Sequence, residues 1–124
     1  MNIVAQLLAI VAVLFHVVAF VMESLLFSRP AVRAAFGVRP ESADGVRPWA
    51  FNQGFYNLLL AAGPVAGLIA HYAGQEAAGR ALVIYGCALM AVCGLVLVAT
   101  NRKMWRGAVG QSGPPVLALL ALLF

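Results

Sequence analysis

Two titratable side chains, His16 and Glu23, interrupt the first apolar run of this chain, and a group of amides and a phenol, Asn52, Gln53, Tyr56 and Asn57, opens the second. A carboxyl and an imidazole can exchange protons, as general acid–base chemistry requires. Amides and a phenol supply both hydrogen-bond donors and acceptors. His16 and Glu23 are seven positions apart. On a regular α-helix they share one face, about two turns and about 10 Å apart. A ligand, a water or a partner side chain has to bridge that distance. An ionisable group in hydrocarbon costs at least about 2.5–3.5 kcal/mol on insertion scales, so such groups usually face a bundle interior. Plainer roles stand beside these. Glu23 can be hydrated near the interface or paired with a loop arginine, and His16 can bond a neighbouring helix. Gln53, Tyr56 and Asn57 can simply join helices, at about 0.6 kcal/mol each. Gln111, beside the last basic loop, is a further candidate ligand contact.

The elements that position these groups follow from composition. Of 124 residues, 64% are apolar and 10% charged, against roughly 25% charged in soluble domains. Mean hydropathy is +0.96. So much apolar surface cannot be hidden in a core this small, and lipid is the expected solvent. At about 20 residues per span, the chain has room for four spans. The fold expected is all-α, a polytopic four-helix transmembrane bundle forming one domain over residues 1–124, with helices at about 3–27, 49–72, 80–100 and 108–124. The first run has no basic residue before Arg29 and is longer than a signal-peptide core, so it reads as a retained helix.

The polar connection from Arg29 to Pro48 is punctuated by Pro30, Pro40 and Pro48. Val32, Ala35 and Phe36 can form one apolar face of a short interfacial helix there; an irregular loop fits equally well. Pro64 predicts a kink that frees the Leu60 carbonyl. Gly63 and Gly67 form a G-x-x-x-G pair suited to close helix approach. Gly110 to Pro115 is expected to interrupt the closing helix near Gln111, leaving it bent or only partly spanning.

Charge sets the orientation. Arg29, Arg33, Arg39, Arg47, Arg102, Lys103 and Arg106 fall in the first and third connections, and only Arg80 falls on the opposite side. Positive residues in short loops mark the cytoplasmic side, so both termini are expected outside. Glu23, Asn52, Gln53, Tyr56, Asn57 and Gln111 then lie toward the cytoplasmic side and His16 near the middle. The net charge of +4 is explained by topology, not nucleic acid, because no basic run is interleaved with aromatics. Cys87 and Cys93 share one apolar run and read as inert thiols. No metal site and no cofactor is implied.

The stretch N-Q-G-F-Y-N from Asn52 to Asn57, followed by L-L-L-A-A-G, resembles the signature of domain of unknown function 1304, a bacterial family of small four-helix membrane proteins. The H-x₆-E spacing of His16 and Glu23 and the G-Q-x-x-P-P around Gln111 are similar to that family too. The resemblance implies a polytopic protein of the inner (plasma) membrane and supplies no activity. Two functions remain open on the residues. One is binding or transport of a small molecule or lipid from the cytoplasmic side, with Glu23 exchanging a proton, His16 relaying it and the amides contacting the ligand. The other is an intramembrane acid–base enzyme, an isomerase or hydrolase on a lipid-like substrate, with Glu23 and His16 as the catalytic pair. A structural subunit without chemistry is a third. The bilayer is the expected partner, and a homodimer would supply the symmetry that a single chain without internal repeats lacks.

Overall fold

Asn2 starts the first helix. Its Oδ1 accepts a hydrogen bond from the Ala5 N–H at 2.8 Å, satisfying one of the amide donors that a helix start leaves free. The computed structural model describes residues 1–124 and contains only helices and their connections. Helix α1 is Ile3–Phe20, continued directly by a π-helical turn, Val21–Leu25. A short α2, Pro30–Ala35, comes next with proline at its first position, where the missing N–H costs nothing. Then come α3, Ala43–Tyr72, α4, Glu76–Thr100, and α5, Trp105–Ala121. The helices are five, not four, because the first connection folds its Val32 face inward as α2.

Other boundaries differ from the sequence reading for local reasons. Helix α3 starts at Ala43, well before Trp49, and takes Pro48 into its second turn. The proline there removes only the bond to the Asp44 carbonyl, and Asp44 itself suits the positive end of the helix dipole. Glu76 plays the same part at the start of α4, which begins before Arg80. The expected interruption of the last helix is absent: α5 continues through Gly110–Pro115. Pro114 and Pro115 are adjacent, so they remove only the bonds to Gly110 and Gln111, and the flanking turns carry the helix past them.

Each of the four longer helices packs antiparallel on two neighbours, in the order α1, α3, α4, α5 and back to α1. The faces they turn inward repeat with a three-to-four-residue period: Ala5, Ala9, Ala12 and His16 on α1, Ala61, Pro64 and Gly67 on α3, Val83, Cys87 and Met90 on α4. Small residues let the backbones approach. A Cβ on Gly67 would lie 2.8 Å from the Gly79 carbonyl oxygen, and one on Gly79 would lie 2.6 Å from that of Gly67. Gly67 is thus the working half of the G-x-x-x-G pair; a Cβ on Gly63 would meet only the Gly86 Cα, at 3.7 Å.

Outward, the helices are apolar. The accessible surface is 7541 Å², above the about 6,300 Å² expected of a soluble monomer of this mass. Leu7, Leu14, Val18, Leu59, Ile69, Val92 and Leu95 are all exposed. Three helical stretches, Ile3–Leu25, Pro40–Tyr72 and Glu76–Thr100, are long and apolar enough to cross a membrane, which suggests membrane association. Helix α5 has 17 residues, about 26 Å at 1.5 Å per residue.

Candidate functional site

The π-helical turn places Glu23. The Leu26 N–H donates to the Val21 carbonyl at 2.9 Å, the five-residue spacing that widens a turn and marks many functional sites. The extra residue rotates the end of the helix relative to a regular one, so Glu23 does not stay on the His16 face. Two contacts hold the turn against α3. The Ser24 hydroxyl donates to the Phe51 carbonyl at 2.8 Å. Gly54 lies so close that a Cβ there would overlap the Ser24 side chain and sit 3.1 Å from the Phe20 carbonyl oxygen. Phe20 and Phe55 pack edge to face, 5.1 Å between ring centres, beside this contact.

With the turn so fixed, Asn57 Nδ2 donates to Glu23 Oε2 at 2.7 Å. Asn57 is buried and also bonds the Gln53 carbonyl one turn back, at 3.3 Å. Glu23 has no arginine partner; the chain's ion pair is Arg39–Glu41, 3.5 Å, fully on the surface. The six-residue stretch from Asn52 to Asn57 therefore does two structural jobs. Gly54 admits the π turn, and Asn57 receives its carboxylate.

Two cavities flank this pair, at the end of the molecule that carries the two basic connections. The smaller, about 390 Å³, lies between the π turn, α2 and the start of α3, and is lined by Glu23, Asn52, Gln53 and the aromatic rings of Phe36, Trp49 and Tyr56. The larger, about 710 Å³, lies inside the helix array and takes Glu23, Gln53, Asn57, Gln111, Lys103 and Arg106 into its wall. Glu23, Phe36 and Gln53 line both, so the carboxylate stands in the partition between them. Every amide or phenol singled out in the sequence lines one cavity or the other.

His16 does not join this group. It is fully buried, its Nδ1 lies 2.8 Å from the Ala12 carbonyl, and its Nε2 has no hydrogen-bond partner. It packs beside the Ala12–Ala61–Met90 cluster and lines neither cavity. His16 and Glu23 do not touch, and only Glu23 lines the cavities. No group of three or more His, Cys, Asp or Glu comes together as a metal site would require.

The sequence reading missed Trp49, Lys103 and Arg106 as cavity residues, having used the two cations only for topology. It also missed a polar clamp at the opposite end. There the Tyr72 hydroxyl donates to Gln6 Oε1 at 2.5 Å, Asn2 Nδ2 to the Ala121 carbonyl at 2.5 Å, and Arg80 to the Leu122 carbonyl at 2.6 Å. These bonds tie the chain ends to the α3–α4 hairpin.

Among known proteins, a family model described as a protein of unknown function (DUF1304) matches residues 10–123. No curated protein and no solved structure matches the chain.

Proposed function

The chain belongs to the DUF1304 family, and we propose that it is a multi-pass membrane protein that binds a small amphipathic molecule at Glu23 and exchanges a proton there, as a carrier or receptor would. In this reading α1 with its π turn, α3, α4 and α5 form a four-helix transmembrane bundle in the inner membrane of a bacterium. The basic connections face the cytoplasm and both chain ends lie outside. Helix α5 is a few ångströms shorter than the hydrocarbon, a mismatch that local thinning absorbs.

The observation that carries the proposal is the position of Glu23, in the wall between two cavities and bonded to a buried amide. A structural carboxylate would be packed on all sides or neutralised by an arginine. This one has room for a ligand on either flank, with apolar side chains such as Val18, Val92 and Leu97 to receive a tail and amides to receive a head. His16 lines neither cavity and so does not supply the acid–base partner that the catalytic reading assigned to Glu23, which favours binding over catalysis.

Infrared difference spectroscopy between acid and alkaline buffer tests the proton exchange, on protein in lipid nanodiscs. The wild type should show a protonated-carboxyl band that titrates and that Glu23→Gln removes. Identical spectra for the two proteins would mean that Glu23 does not exchange a proton, and the reading would be lost.

A further inference from the structure

The smaller cavity has a chemistry of its own. Four of its 10 lining residues are aromatic, Phe27, Phe36, Trp49 and Tyr56. Its one ionisable acid is Glu23, and no lysine, arginine or histidine lines it. The cations of the surrounding elements, Arg29, Arg33, Arg39 and Arg47, all lie outside its lining, as do Glu41 and Asp44. Lys103 and Arg106 line only the larger cavity.

We infer that the cavity between the π turn, α2 and α3 is a binding site for a small organic cation of the alkyl- or aryl-ammonium class, with Glu23 as its counter-ion. The inference rests on the proposed role of Glu23 and names the class of ligand for it. Aromatic rings attract a quaternary or alkyl ammonium through their electron-rich faces, most strongly where water is excluded. An anion would meet the carboxylate without a compensating charge. A hard metal cation would need several oxygen ligands at once, and Glu23 is the one carboxylate present. An uncharged molecule would leave Glu23 as the neutral acid and would gain nothing from its ionisation, so it would bind without releasing a proton.

The exchange balances. A protonated Glu23 carboxyl gives its proton to water as the ammonium ion enters, and an ion pair of carboxylate and cation replaces the neutral acid. The site carries no net charge before or after, so neither state leaves a lone buried charge. Asn57 bonds Glu23 Oε2, which leaves the other oxygen for the ligand. The titratable groups in reach of this exchange are Tyr56 in the same cavity and Cys93, Lys103 and Arg106 across the partition.

The test is isothermal titration calorimetry on the full chain in phosphatidylcholine nanodiscs with three probes of one shape: benzyltrimethylammonium, its uncharged analogue neopentylbenzene, and benzenesulfonate. The cation alone should give saturable binding, weaker by about tenfold or more at pH 5 than at pH 8, with about one proton released per cation bound at pH 5 and fewer as the pH rises. Glu23→Gln, which keeps a hydrogen-bonding partner for Asn57 and so keeps the fold, should remove both the binding and the proton release. Trp49→Leu, at an exposed position, should weaken the cation by about two- to fivefold and leave the proton coupling intact. Binding of benzenesulfonate that Arg106→Ala abolishes would move the ligand site to the larger cavity and overturn the cation inference while sparing the binding role of the protein. Equal binding of the uncharged analogue would overturn it likewise. Silence from all three probes would overturn the inference, and with a titrating Glu23 in the infrared it would leave only the proton exchange standing.

Discussion

The two ends of this molecule differ in what fills the space between the helices. At the end carrying Asn2, Tyr72 and Arg80, the helices meet through Ala5, Ala9, Gly67, Gly79 and Gly86, and backbone touches backbone. At the end carrying the basic connections, close contacts at Gly54, Gly94 and Gly110 alternate with larger side chains, Phe36, Met22, Gln53 and Gln111, that line two cavities. Small residues on facing helices remove side-chain bulk, so close approach gains dispersion contacts. Large and polar residues leave space that needs polar partners or a ligand to fill it. The difference teaches where function can sit. The tight end has no room to change, and the loose end holds the one carboxylate of the helical interior.

The contrast is broken most severely by bulk at the tight end. Gly67→Leu places a side chain against the Gly79 carbonyl and Val83. It should destabilise the α3–α4 pair by about 3 kcal/mol or more, as overpacking against backbone does. Reversible unfolding in detergent would read the loss; a wild-type midpoint would show that the two helices can separate at little cost.

Gly54→Val tests one of the tight spots within the loose end. The new side chain collides with Ser24 and the π turn, and a loss of about 1–3 kcal/mol is expected. Backbone amide exchange should rise from Val21 to Leu25 while the Gly67–Gly79 contact keeps its protection. Uniform loss of protection would mean that the π turn is not a separable unit.

Glu23→Leu should cost about 1–3 kcal/mol, because it removes the shorter of the two bonds made by the buried Asn57 Nδ2 and leaves only the one to the Gln53 carbonyl. Glu23→Gln should cost under about 1 kcal/mol, since an amide can still accept that bond. Equal stability of the two variants would show the Glu23–Asn57 bond to be idle. The smallest effect, of opposite sign, belongs to Gly113 in the interior of α5, where a Cβ meets nothing within 4 Å. Gly113→Ala should stabilise by up to about 1 kcal/mol through helix propensity alone, and a destabilised variant would mean that α5 needs glycine there to bend past Pro114 and Pro115.

Much of this was legible in the sequence. The apolar runs announced the long helices, and the depth of Glu23 relative to Asn57 came from antiparallel neighbours. Two things were not legible. The π turn has no proline or glycine of its own; Gly54, thirty positions away on α3, makes room for it, and local periodicity carries no trace of such a distant cause. The start of α3 was hidden by Pro48, which reads as a loop residue until the carbonyl it orphans is seen to lie in the first turn. Arg106 looked like a topology marker because its type serves that purpose equally well; only the packing of the last connection turned it into cavity wall.

The two free cysteines lie one on each side of the divide, which makes them the direct test of it. Cys87 is buried in the Ala5–Ala9–Val83–Ala118 cluster, and Cys93 lines the larger cavity. A charged, membrane-impermeant methanethiosulfonate reagent reacts only where water reaches the thiol. Applied to vesicles from the side of the basic connections, it should label Cys93 and spare Cys87, and Cys93→Ser should abolish the signal. An unlabelled Cys93 in intact protein would contradict a water-filled cavity at that end, and with it the account of Glu23 as an exchanging group.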